Sequence, residues 1–560
     1  MPAGVQAVPI MAFEPPGPGH WKLESTHSGR RPTSGFMRSF EKSMFEDGSV
    51  IICERYGLPL ARIRMEYVNG CKYVRPTPVG EGTKPKALPP KLIMKLAVRV
   101  HPELRRRNRT AVRAWQDKRW RTELEQWFEH DRAKIISTNL ALQAVEPSEL
   151  DDTALNSYFT ELAAHFRATA NHHGSTHGAD VIPMGDFLAH CQAWGIADAD
   201  AAFLLRGSSP ASTEAAELLA PVARAIAASH AAPRTLEEIR QLGPDARTAL
   251  DAWIERYSWR LITSTDIDVP TLAERPKLLF NAVTATADCG DAVVAPDPGP
   301  IRTRVPSGER QLFDELLTEA RQGMRHRDDN SGICWSWPAG LVRRALLEIG
   351  RRLEAAGRVN GVEHAVELSP NEIGPLLLTG IGPSAQELSE RAEWRVRVEA
   401  SGPPDFLGEP EAEPPNDVFP APMARATSAV LAMLKAMERE PMTQALHGTG
   451  IGTDIYRGTA RVVSGSDDGL DRLEPGDVLI APFTTPAYNT VISLVGALIC
   501  EDGGAMSHAA FLSREYGIPA VLGVTDATKL IPDGATVEVD PSIGSVRVVK
   551  SLHEVLRDID

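Results

Sequence analysis

The sequence of 560 residues predicts a multidomain α+β protein: a small N-terminal β-rich unit, a large mostly α-helical middle and a compact C-terminal α/β unit. Three observations predict it. Apolar runs flank an Asn69-Gly70 turn, apolar residues between about 88 and 400 recur at helical spacing, and short β-branched runs separated by turns return beyond residue 448. At about 150 residues per domain the length calls for three to four units.

Composition excludes several classes. With 42% hydrophobic and 24% charged residues the chain has an ordinary globular profile. Its 60 Lys+Arg against 74 Asp+Glu leave a net charge of −14, the wrong sign for gripping a nucleic-acid backbone. The longest apolar run, 491–500, is interrupted by Ser493 and Gly496 and is far short of a membrane span, so no membrane partner is expected. The opening MPAGVQAVPIMAFEPPGPGHW lacks the basic start and apolar core of a secretory signal, and a cytoplasmic location is expected. Six dispersed cysteines without a CxxC pair argue for reduced, buried thiols and against a metal site.

In order along the chain, 1–85 forms the β-rich unit, with strands at 49–54 and 60–67 and a hairpin turn at Asn69-Gly70. The helical domain covers 86–400. Leu155, Tyr158, Phe159, Leu162, Ala163 and Phe166 line one helix face behind the acidic starters Asp151 and Asp152, and Gly174 ends that helix. Further helices are expected at 201–205, 215–228 (kinked at Pro221), 311–322 and 341–356, with a long loop at 288–307. Seven prolines within 401–423 predict an extended, semi-rigid linker, and a helix at 424–440 completes the segment 401–447. The last unit, 448–550, has strands at 459–463, 477–481, 497–501, 520–524, 536–540 and 545–549 and helices at 487–494 and 507–516, before a tail at 551–560.

The most informative stretch is 500–523, CEDGGAMSHAAFLSREYGIPAVLG. A buried strand ends near Glu501, Gly503-Gly504 turns the chain, and Ser507 caps a helix that opens at His508 and stops at Gly517. The spacing puts an imidazole at the positive end of a helix, where free N–H groups and the dipole favour an anion. Gly503, Gly504 and Ser507 are therefore candidates for a phosphate cradle around His508.

The run GG-x-x-SHAA followed by RE-x-GIPAV-x-G closely resembles the phosphohistidine swivelling domain of phosphoenolpyruvate-utilising enzymes and dikinases, over about 448–549. The resemblance implies that His508 is the phosphorylated histidine and that Thr485, in Thr485-Pro486, lies beside it. Ser513 departs from the family's usual alanine. The family also implies ATP and Mg²⁺ at an ATP-grasp station. No GxxxxGK[ST] or GxGxxG is present, so that station is expected on a separate ATP-grasp subunit, with a covalent phosphohistidine as the shared intermediate. The order of helical and histidine domains resembles rifampin phosphotransferases without their ATP domain. It is also similar to the histidine-bearing subunit of phenylphosphate-synthase-type enzymes.

Two groups are candidates for the acceptor side. NHHGSTHGAD offers His172, His173 and His177, of which His173 continues the apolar stripe and suits a base for an incoming hydroxyl. RHRDDN offers Arg327, Asp328 and Asp329 to hold a phosphoryl group or orient a hydroxyl, and Trp335 and Trp337 could wall an aromatic acceptor. The expected function is an ATP-dependent phosphotransferase subunit that passes phosphoryl from His508 to a small phenolic hydroxyl. A bulky natural product as acceptor, or a regulatory phosphocarrier, are the alternatives.

Overall fold

The computed structural model describes residues 11–24, 30–80, 88–230, 232–288, 295–438, 444–463, 468–485, 488–489 and 491–550. At the N-terminal end, strands Leu60–Val68 and Cys71–Pro78 form the expected hairpin, and Asn69 and Gly70 both take positive φ (47° and 75°), the geometry of a tight hairpin turn. Trp21–Leu23 pairs with the second of these strands, and Phe406–Leu407 pairs with Trp21–Leu23 to close a four-stranded antiparallel sheet.

The strand expected at 49–54 is instead part of the helix Glu41–Tyr56. A short apolar run does not distinguish the two periods. Here Met44, Gly48, Cys53 and Tyr56 are buried. They seat this helix against the hairpin and against Asp152–Thr176. Gly174 does not end the latter helix: it packs on Gly48, where the absence of side chains lets two helix backbones approach.

Asp151 caps Asp152–Thr176 by accepting from the Ala154 N–H at 2.8 Å, as its position predicts. The other expected helices appear as Asp198–Phe203, Pro210–Ser229, Arg310–Ser331 and Trp337–Ala355, the last two joined by a π-helical turn, Gly332–Ser336. The loop expected at 288–307 falls partly outside the described residues; Gly299–Arg302 and Ser307–Glu309 within it are single helical turns.

The linker expectation needs correction. The Tyr73 hydroxyl donates to Pro404 O at 2.7 Å, and Phe406–Leu407 is a sheet strand. The helix Ala421–Met437 lies along Gly178–Ala193, with Arg425 bidentate on buried Asp186 at 2.9 and 2.6 Å. Prolines keep 402–415 out of helix, yet hydrogen bonds and packing fix the segment to both neighbours.

The C-terminal unit is a seven-stranded mixed sheet. Tyr456–Val462, Asp477–Ala481, Val495–Cys500 and Ala520–Leu522 run parallel in its centre; Thr449–Ile451 flanks one side, and Thr536–Asp540 and Ser545–Lys550 the other. Strand alternation splits its apolar residues. Val478, Ile480, Ala497, Ile499 and Val521 form one core, while Leu479, Leu498, Cys500, Ala520 and Leu522 face the other way. That second face is shared with Leu219, Leu250, Trp253, Ala282 and Val283 of the helices between 210 and 288. Of the helix expected at 487–494, Ile492–Leu494 forms a 3₁₀ turn; Ala487 and Thr490 lie outside the described residues. Cys53, Cys71, Cys191, Cys334 and Cys500 are free and buried.

Candidate functional site

His508 is the first residue of His508–Tyr516, and the Ser507 hydroxyl caps that helix by accepting from Ala510 N–H at 3.3 Å. Two side chains hold the half-buried ring. The Thr484 hydroxyl donates to Nδ1 at 3.1 Å, and Nε2 donates to Asn489 Oδ1 at 2.9 Å. Burial pushes the imidazole pKa down from 6.5 to about 3, and the positive charge of Arg327 pushes the same way. The ring is thus neutral, as a nitrogen nucleophile must be.

The cradle differs from expectation. Thr485 is fully buried, with its carbonyl accepting from Tyr488 N–H at 2.9 Å, and the hydroxyl on the ring belongs to Thr484. Pro486 lies outside the described residues. Gly503, at φ 119°, turns the chain. Gly504 serves docking: its N–H donates to Met437 O at 3.0 Å, beside Met506 N–H on Ala436 O at 2.8 Å, and a Cβ there would collide with the carbonyls of Ala436 and Glu438. The histidine unit is therefore anchored to the end of Ala421–Met437.

This docking brings Met437 against Arg327, on Arg310–Ser331, whose Nη2 lies 3.6 Å from Met437 Sδ and whose charge acts on His508. Around the neighbouring His326 the structure joins the two acceptor-side groups into one network. Asp180, 1% exposed, accepts from His326 Nδ1 at 3.2 Å and from His177 Nδ1 at 3.3 Å. Asn330 donates to His326 Nε2 at 2.6 Å and to Thr176 Oγ1 at 3.0 Å, and accepts from His173 Nδ1 at 2.9 Å. Burial would raise the Asp180 pKa, but His177 and His326 hold it well below the usual carboxylate range. With Nδ1–H committed to Asp180, His177 carries its lone pair on Nε2, and its side chain is 31% exposed.

The remaining candidates divide. His172 sits beside the network, its Nε2 3.3 Å from Asp131 Oδ2 and its ring edge-on to Trp127, and burial lowers its pKa. Trp335, in the π-helical turn, donates to Thr265 O at 2.9 Å, and its ring centre is 6.1 Å from that of His173. Trp337 does not join them; it is fully buried in the helical core and donates to Gln143 Oε1 at 2.7 Å. Asp329 is a structural ion-pair partner, bound by Arg132 at 2.7 and 3.1 Å. The Asp328 side chain lies outside the described residues. Sequence reasoning missed Asp180, His326, Asn330, Thr484 and Asn489. The i, i+3 spacing of His177 and Asp180 and the i, i+4 spacing of His326 and Asn330 were the available signals.

Among the described residues no group of three or more His, Cys, Asp or Glu side chains is placed to hold a metal ion. A cavity of about 470 Å³ opens elsewhere, between Arg38, Glu367, Glu372, Glu390, Arg391 and Trp394, and is lined by none of the candidate residues.

The fold and the ring's surroundings define a histidine-bearing mobile unit docked on a helical one, and comparison with known families agrees. Residues 473–544 match the PEP-utilising enzyme, mobile domain, and residues 181–330 match the rifampicin phosphotransferase fourth domain. The first carries His508, Thr484 and Asn489, and a mobile domain of this kind implies a covalent phosphohistidine intermediate; the second carries His326, Arg327 and Asn330. The chain is similar to rifampicin phosphotransferases over part of its length. It is 28% identical to that of Streptomyces sviceus over 339 residues, 56% of this chain and 36% of that protein. It is also 39% identical to that of Bacillus cereus over 106 residues (19% of this chain, 12% of that protein), and 29% identical to the uncharacterised phosphotransferase YvkC of Bacillus subtilis over 247 residues (43% and 28%). The match to the Streptomyces sviceus protein thus spans about a third of that protein's length.

Proposed function

We propose that this chain is the histidine-and-acceptor part of a phosphotransferase, in which His508 accepts a phosphoryl group and passes it to a hydroxyl bound against the network of His177, Asp180 and His326. The observation that carries this reading is the meeting of the two matched stretches at Met437, whose carbonyl accepts from Gly504 N–H at 3.0 Å and whose Sδ lies 3.6 Å from Arg327 Nη2. Loading breaks the donor's bond to phosphorus and forms P–N on the ring, so one nitrogen must exchange Thr484 or Asn489 for phosphorus. In the second step the acceptor oxygen attacks phosphorus, the P–N bond breaks and its electron pair returns to the imidazole. The hydroxyl proton goes to His177 Nε2, with Asp180 stabilising the imidazolium. Arg327 offsets charge on the travelling group.

Loading by ATP and Mg²⁺ on a separate ATP-grasp protein completes the proposal. The relatives support a bulky natural product as acceptor in preference to a phenylphosphate-synthase-type reaction. Trp335 beside His173 supports an aromatic acceptor of either size.

The test bypasses the loading protein. Radiolabelled phosphoramidate, a small P–N phosphoryl donor, is expected to place acid-labile label on the wild-type chain and none on His508→Ala; rifampicin or phenol is then offered as acceptor. Equal labelling of His508→Ala would sink the proposal.

A further inference from the structure

The helix Lys91–Val100 turns its apolar side away from the protein. Of its ten residues only Val98 is buried, while Leu92 is 82%, Ile93 57%, Leu96 62% and Val100 61% exposed. At about 100° per residue these four share one arc of about 100°, and Lys91, Lys95 and Arg99, at four-residue spacing, form the adjoining arc. A helix covering a core does the reverse.

The charge around it is one-sided. Lys91 and Lys95 lie 3.2 and 3.9 Å from Asp417. The next helix, Pro102–Gln116, adds Arg105, Arg109 and Arg113, again four residues apart and exposed. Among the described residues these three and Arg99 have no ion-pair partner, in a chain whose net charge is −14.

We propose that this face docks on an anionic phospholipid surface. The helix would lie flat at the headgroup boundary with Leu92, Ile93, Leu96 and Val100 inserted and the unpaired arginines against lipid phosphates, as a short helix with an apolar face and a basic rim does. A second copy is the poorer occupant, because antiparallel apposition of two such arcs sets one row of Lys91, Lys95 and Arg99 beside another. A protein groove is poorer too: the arc is wholly aliphatic, whereas protein hot spots favour Trp and Tyr and are poor in Leu and Val. No described helix is long and apolar enough to cross a membrane. The inference is independent of the phosphoryl relay.

The full chain is sedimented with vesicles of phosphatidylcholine alone and of phosphatidylcholine mixed with phosphatidylglycerol. Wild type is expected to pellet with the mixed vesicles only and to be released by salt. A Leu92→Glu/Leu96→Glu variant should bind at least about tenfold more weakly, and replacing Arg105, Arg109 and Arg113 by Gln should flatten the salt dependence. Both leucines are largely exposed, so helix content and phosphoramidate labelling of the Glu variant should match wild type. Failure to pellet with mixed vesicles, or pelleting of the Glu variant like wild type, overturns the proposal. So does self-association without vesicles that the Glu variant abolishes, which would assign the face to a second copy.

Discussion

The imidazole of His508 is held neutral by its surroundings, and this has a direction in pH. Its folded pKa is about 3 against an ordinary 6.5, so between those values the unfolded chain takes up a proton that the folded chain refuses. Stability from this group is complete above about pH 6.5 and is lost as pH falls toward about 3, at about 1.4 kcal/mol per unit. His508→Ala should remove that slope from the difference between the two unfolding curves; an unchanged slope would mean the ring is not packed as described. Asn489→Asp should act oppositely. A carboxylate accepting from Nε2 favours the imidazolium, so the His508 titration read by NMR should move up by about 1–2 units, and the pH below which phosphoramidate labelling fails should rise with it. Ser513 is simpler: its hydroxyl is buried without a hydrogen-bond partner, at the position where the resembled family has alanine. Ser513→Ala should raise unfolding stability by about 1 kcal/mol, seen as a higher denaturant midpoint.

At the scale of elements, the histidine helix was legible because local rules specify it: Ser507 caps it, Gly517 ends it and its first turn runs through the apolar, buried Ala509, Ala510, Phe511 and Leu512. The acceptor network was legible only as two separate candidate groups. What joins His177 to His326 is Asp180, brought in by packing between helices far apart in sequence, and no local pattern reports that. The π-helical turns Trp127–Asp131 and Gly332–Ser336 were likewise invisible, since one extra residue in a helical turn leaves the apolar spacing nearly unchanged, yet they supply Trp127, Asp131 and Trp335 to the site's edge. The mistaken strand at 49–54 and the mistaken helix end at Gly174 share a cause: both lie where Glu41–Tyr56 meets Asp152–Thr176, and tertiary contact overrode local preference. Gly504 gives a test at this scale. Gly504→Ala puts a methyl against the carbonyls of Ala436 and Glu438 and should undock the unit, returning the His508 pKa toward 6.5 with the sheet itself intact.

Across the whole molecule, the mobile unit and the helices between 210 and 288 share one apolar core, and Met506 and Phe511 carry the unit into a second one with Gly178–Ala193, Arg310–Ser331 and Ala421–Met437. Ion pairs at the rim, such as the part-buried Arg275 with Asp471 at 2.6 Å and the exposed Lys277 with Glu474, are solvent-screened and add little. Movement of the histidine therefore either uncovers that apolar face or takes these helices along. Ala282→Glu, a charge placed at a fully buried position of the shared core, should separate the two and split thermal unfolding into two transitions. A single unchanged transition would show that the shared core does not govern docking.

The strand Phe406–Leu407 has a consequence for synthesis. Because it completes a sheet begun at Trp21, a ribosome must deliver nearly four hundred residues before the first sheet can close its edge. The nascent N-terminal hairpin waits half-finished while the helical region collapses beside it, so translation pausing shortly before codon 406 should prolong the time its open edge is available to chaperones.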